Sequence, residues 1–124
     1  MDMQSKTLDK KYRGIYETEK RIKLCKEILC MFADMDIASE TVLSQISRKE
    51  EELKNLEVEY ANQIQEQVDD FMVVEDIMSL RVLKMWYIER KTWKEISEKL
   101  KKSKVWLMKL RDKGLEQIAL KIGQ

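Results

Sequence analysis

The chain has no histidine and no proline, and only three glycines and two cysteines among its 124 residues. Without histidine there is no imidazole general base and no Cys/His nucleophile pair, and two cysteines alone cannot assemble the usual zinc ligand sets within one chain. So few turn-forming residues argue against sandwiches, barrels and glycine-rich phosphate loops, and for long helices. No apolar run approaches the ~20 residues a membrane span needs. The N-terminal stretch MDMQSKTLDKKYRG has no hydrophobic signal-peptide centre, so a cytoplasmic protein without membrane association is expected. Cys25 and Cys30 would sit roughly 140° apart around a helix, badly aimed for a disulfide, and are expected as reduced, partly buried thiols.

What is present is 44% hydrophobic and 38% charged, enough for one modest core and too little for two large independent domains. The formal charge of +1 conceals a sorting along the chain. Residues 1–73 carry 11 basic and 16 acidic side chains, whereas residues 74–124 carry 13 basic and 7 acidic. A basic C-terminal segment suits a surface that meets a polyanion. The acidic segment suits a solvated helical body or a protein-facing arm.

Apolar residues recur at Ile15, Ile22 and Leu29, with Cys25 and Phe32 three positions after the last two, which predicts one stripe down a helix of about six turns. Thr18, Glu19 and Lys26 dilute that stripe. Asp34, Asp36 and Ser39 then interrupt the pattern. A second stripe runs through Val42, Ile46, Leu53, Leu56, Tyr60, Ile64, Val68 and Phe71, with Lys49 its weak position. Two helices of this length need their apolar faces covered, so an antiparallel hairpin or coiled-coil arm over 1–73 is expected, with a single continuous parallel coiled coil as the rival. Some of Tyr12, Phe32, Tyr60 and Phe71 are expected to pack across a homodimer seam or against the C-terminal block.

In residues 74–124 the sequence predicts three helices. The first presents Val73, Ile77, Leu80, Leu83 or Lys84, and Tyr87 to Ile88 on one face. Thr92 and Glu95 have capping-box spacing ahead of a short helix carrying Trp93, Ile96 and Leu100. Ser103 is placed to cap a third helix whose inward face is Leu107, Leu110, Leu115 and Ile118. A short helix, a tight turn and a longer basic helix is the pattern of a helix-turn-helix. Such a unit presents the leading turns of its second helix to the ~12 Å wide major groove. Lys101, Lys102, Lys104, Lys109 and Lys113 form a credible phosphate-facing cluster on it. For Trp86, Trp93 and Trp106, packing is favoured over base stacking.

The stretch from Ser79 to Ile118 resembles region 4 of the sigma-70 superfamily, and in particular the small phage and prophage transcription regulators that join this module to an N-terminal helical arm. The matching residues are Leu80-Arg81, Trp86-Tyr87-Ile88, Thr92-Trp93 with Glu95-Ile96, Leu100, Ser103 and Gly114-Leu115. The resemblance implies an all-α fold, with an arm over 1–73 and a helix-turn-helix domain over 74–124. It implies a transcriptional regulator that binds double-stranded DNA at a promoter, with an arm that dimerises or touches RNA polymerase; the uneven stripes on residues 12–71 favour a homodimer through these N-terminal helices. It puts the DNA-facing turn on Lys104, Val105, Met108, Lys109 and Asp112, with Ser103 at the cap, and suggests a buried-edge structural role for Arg81. Where the family has a small alanine this chain has Ser97, and the family's turn glycine and apolar residue are replaced by Lys101 and Lys102. If Lys101 must adopt a positive φ, that costs roughly 1 to 2 kcal/mol.

Enzymatic readings lack a constellation. Glu66, Asp69, Asp70 and Glu75 could gather carboxylates, but adjacent aspartates on a helix diverge by about 100° and no phosphate loop lies nearby. No catalytic residue, cofactor or metal is expected. The rival functions are a helical adaptor whose helix-turn-helix binds protein, and a phage DNA-packaging recognition subunit.

Overall fold

The computed structural model describes residues 1–33, 35 and 39–123, and among these the chain is all-α. Five α-helices follow one another: α1 Met3–Ala33, α2 Glu40–Phe71, α3 Ile77–Leu83, α4 Trp93–Leu100 and α5 Lys104–Ile122, with a π-helical turn at Lys84–Ile88 after α3. The expected interruption at Asp34 and Asp36 lies outside the described residues. The Ser39 carbonyl accepts the Leu43 N–H at 3.0 Å, at the entrance to α2.

The chain divides into two compact units, one of Met1–Arg13 with Glu66–Gln124, the other of Gly14–Gln65. Residues 1–13 and 66–73 thus group with the C-terminal segment. In this first unit Leu8 and Tyr12 of α1 pack into a core with Phe71, Val74, Leu83, Tyr87, Leu115 and Ile118. Tyr12 meets Phe71 and Tyr87 edge-on at 5.2 and 5.3 Å between ring centroids, in the geometry that aromatic quadrupoles favour. The hydroxyls point outward to carboxylates. Tyr12 donates to Asp70 at 2.9 Å and Tyr87 donates to Asp9, while Lys11 and Arg13 pair with Asp70 and Asp9 at 3.1 and 3.0 Å. Tyr12 and Phe71, expected at a homodimer seam or against the C-terminal block, take the second course.

A second core holds Val82, Met85, Ile96 and Leu107, with Trp86, Trp93, Leu100 and Leu110 packed around it. Neighbouring residues therefore serve different cores, Val82 and Met85 one, Leu83 and Tyr87 the other. The helix then widens into the π-helical turn, where the Glu89 N–H reaches back five residues to the Lys84 carbonyl and both Met85 and Tyr87 are buried. Arg90 at φ 53° then ends the helix, and the Lys91 N–H returns to the Met85 carbonyl.

The expected inward face of this first C-terminal helix needs correcting. Ile77 is 63% exposed, and the buried positions are Ser79, Val82, Leu83, Met85 and Tyr87. α3 starts only at Ile77, behind a cap in which the Asp76 carboxylate accepts the Ser79 N–H at 3.0 Å and the Ser79 hydroxyl at 2.8 Å. Ile77 therefore stands at the end of the helix beyond the packed face, while Leu83 and Tyr87 are buried as expected and Val73 and Leu80 pack against them. α3 and α5 approach closely at Gly114, where a Cβ would lie 2.7 Å from Leu83 Cδ1.

Within Gly14–Gln65, Ile15, Cys25 and Leu56 are buried, and Ile22, Leu29, Val42, Ile46, Leu53 and Tyr60 half-buried. Thr18, expected to dilute the stripe, is buried because its hydroxyl donates to the Gly14 carbonyl at 3.2 Å. The Cys25 thiol donates to the Lys49 carbonyl at 3.4 Å, and burial pushes its pKa up. Cys25 and Cys30 are both free thiols, the second exposed.

Candidate nucleic-acid interface

α4 begins with a complete capping box. Thr92 Oγ1 accepts the Glu95 N–H at 3.2 Å, and the Glu95 carboxylate accepts the Thr92 N–H at 3.1 Å and the hydroxyl at 3.0 Å. These bonds hold the Glu95 carboxyl below the usual range. At the other end Lys101 takes the left-handed conformation, φ 57° and ψ 40°, and its N–H bonds the Ser97 carbonyl at 2.8 Å. Ser97 supplies a further tie, its hydroxyl donating forward to the Lys102 carbonyl at 2.6 Å. A small side chain at this position therefore also clamps the turn. Ser103 then caps α5, its hydroxyl oxygen accepting the Trp106 N–H at 3.3 Å.

α5 is seated through Leu107, Leu115 and Ile118, all fully buried, and through Gly114. Arg111 lies on the same stripe, four residues from both Leu107 and Leu115. In the sequence an arginine there interrupts the apolar pattern and carries no signal of its own, yet it is buried. Its Nε donates to Asp112 Oδ1 at 3.0 Å, and its guanidinium lies 5.4 Å from the Trp93 ring centroid. Trp93 in turn stacks on Trp86, at 4.2 Å and 16° between planes. A cation over two stacked indoles is a stiff brace between the π-helical turn, α4 and α5. Arg81, by contrast, is exposed.

Around this braced turn Lys101, Lys102, Ser103, Lys104, Val105, Lys109 and Lys113 are exposed, and Met108 and Asp112 half-buried. The geometry brings Lys101, Lys102 and Lys104 together at the entrance to α5, with Lys109 and Lys113 farther along the same helix. Among the described residues no carboxylate lies within ion-pair distance of any of these five lysines. Asp112 is engaged by Arg111. Lys113 lies near enough to Asp76 that its charge helps the Ser79 hydrogen bonds hold that carboxyl below its usual range. Val105 is 63% and Trp106 49% exposed, so the leading turn of α5, which also carries Lys104, presents two apolar groups.

Of the acidic residues considered as an enzymatic cluster, Asp70 is taken by Tyr12 and Lys11. Among the described residues no group of three acidic or cysteine side chains is arranged to hold a metal ion, and no helix is long and apolar enough to cross a membrane. Comparison with family models, with curated proteins and with solved structures finds no match to the chain.

Proposed function

We propose that the chain is a DNA-binding transcription regulator of phage or prophage type, in which residues 74–124 act as a helix-turn-helix of sigma region 4 type. It acts without catalysis, at a promoter and together with RNA polymerase, and it dimerises through its N-terminal helices. The observation that carries this reading is the set of five unpaired lysines on and after a turn that is fixed by the Ser97, Lys101 and Ser103 hydrogen bonds. A rigid, positively charged helix entrance suits phosphate contact, with the first amides of α5 and Lys101 and Lys102 on the backbone. Lys104 and Lys109 then stand where base edges are read, and the exposed Val105 suits the methyl group of thymine. The deciding experiment is selection from a randomised duplex library, followed by titration of the winning fragment at two salt concentrations. Lys102→Gln should weaken binding to every duplex and reduce the salt slope by about 1. Lys109→Gln should cost about 1 to 3 kcal/mol on the selected fragment alone. Failure to enrich any motif would refute the reading.

A second reading has one observation in its favour. Trp106 beside Val105 is a large apolar group at the leading turn of α5, suited to a protein partner. A helical adaptor that binds protein through this turn would lose its partner with Trp106→Ala and show no duplex affinity even at low salt.

A further inference from the structure

The unit Gly14–Gln65 leaves apolar side chains that its own two helices do not cover. Leu24, Ile28 and Met31 recur at steps of four and three along one side of α1, with Phe32 beside them. Leu24 is 57%, Met31 73% and Phe32 39% exposed. Next to Ile28 and Phe32 a groove of about 350 Å³ opens toward Val42 and Ile46 of α2, with Gln45, Arg48 and Glu52 also lining it.

We propose that this face seats a second copy of the chain, so that two α1–α2 pairs close into a four-helix layer. Two helices alone bury only the seam between them, and a second pair supplies the missing apolar layer. The charges favour a copy over an unrelated partner. Arg48 has no carboxylate partner among the described residues, while Glu52, one turn farther along α2, is bonded to Lys49 on its own helix at 2.9 Å and also lies in the field of Arg21 on α1. In a two-fold contact residue i meets j and j meets i, so a surface that docks on itself needs both signs flanking its axis, and Arg48 and Glu52 provide them. A polyanion would instead meet the Glu50–Glu52 run and an apolar groove. The inference deepens the proposed homodimer and rests on it.

The test is sedimentation equilibrium on the full chain across the micromolar range, with helix content followed by circular dichroism. The expected result is a species of twice the 14.9 kDa chain mass. Met31→Glu, at a side chain exposed in the single chain, should keep its helix content and weaken association about 100-fold. Arg48→Glu should weaken it as well, and Arg48→Glu/Glu52→Arg should recover it. A dimer indifferent to Met31→Glu and Leu24→Glu, or an Arg48→Glu loss that the double exchange does not recover, overturns this interface while leaving dimerisation elsewhere intact. A parent chain that stays monomeric overturns both, and the duplex selection above would still decide the DNA reading.

Discussion

Replacing Tyr12 and Tyr87 together by phenylalanine should change how the protein responds to alkali. Both rings are in the first core, 2% and 6% exposed, and each hydroxyl donates to a carboxylate, Asp70 or Asp9. Burial, first of all, and then the hydrogen bond and the negative charge of that carboxylate push each phenol far above its ordinary 10.0. The native chain therefore holds both protons at a pH where the unfolded chain releases them. With a folded pKa above the unfolded one, the stabilisation is complete below pH 10 and erodes as pH rises beyond it. Each tyrosine contributes a limiting slope of about 1.4 kcal/mol per pH unit, so the pair should cost the parent about 2 kcal/mol between pH 10 and 11. At neutral pH the double variant should be weaker than the parent by about 1 to 2 kcal/mol per lost hydrogen bond to a carboxylate. Urea unfolding followed by circular dichroism at pH 7, 9, 10 and 11 gives both numbers. If the double variant loses stability between pH 10 and 11 as steeply as the parent, the two phenols do not hold their protons in the way their surroundings require.

Three further outcomes can be measured in the same way. Lys101→Gly should raise stability by up to about 1 kcal/mol, because glycine avoids the cost of the left-handed conformation and gives back part of it as unfolded-state entropy. Gly114→Val should lower stability by about 2 kcal/mol or more, since its side chain would enter space held by the fully buried Leu83. Trp93→Ala should cost about 2 to 3 kcal/mol in thermal or urea unfolding. That is less than for a wholly enclosed indole, because Trp93 is half-buried, but it removes the ring between Trp86 and Arg111.

Local chemistry was legible in the sequence wherever one residue type has one strong use. Thr92 with Glu95 predicts the capping box and Ser103 predicts the start of α5. The apolar spacing of Leu107, Leu115 and Ile118 likewise gives the inward side of α5. Legibility fails where a face depends on long-range packing. Counting in steps of three and four from Val73 takes Leu83 and Tyr87 inward correctly, but it also takes Ile77, which stands at the very start of α3 behind the Asp76 cap and is 63% exposed. Arg111 is invisible to apolar counting, because a charge on an apolar stripe reads as an interruption until an indole and a carboxylate are found beside it. On α2, Val68 was expected inward and is 36% exposed, while Gln67 is buried at 2%, a one-residue drift that apolar pattern alone cannot detect.

The hydrogen bond from Tyr87 to Asp9 joins residues 78 positions apart, and Leu8 shares a core with Ile118. This sets an order of events during synthesis. Leu8 and Tyr12 emerge from the ribosome early and must wait, uncovered, while α2, α3 and α4 are made. Only when Leu115 and Ile118 have appeared can the first core close. Meanwhile Gly14–Gln65 has all its own contacts available as soon as α2 is complete. Local contacts form quickly and distant ones slowly, so the middle of the chain should fold first and the unit with the basic turn last. A nascent chain stopped between Leu110 and Leu115 would have its second core complete and its first still open.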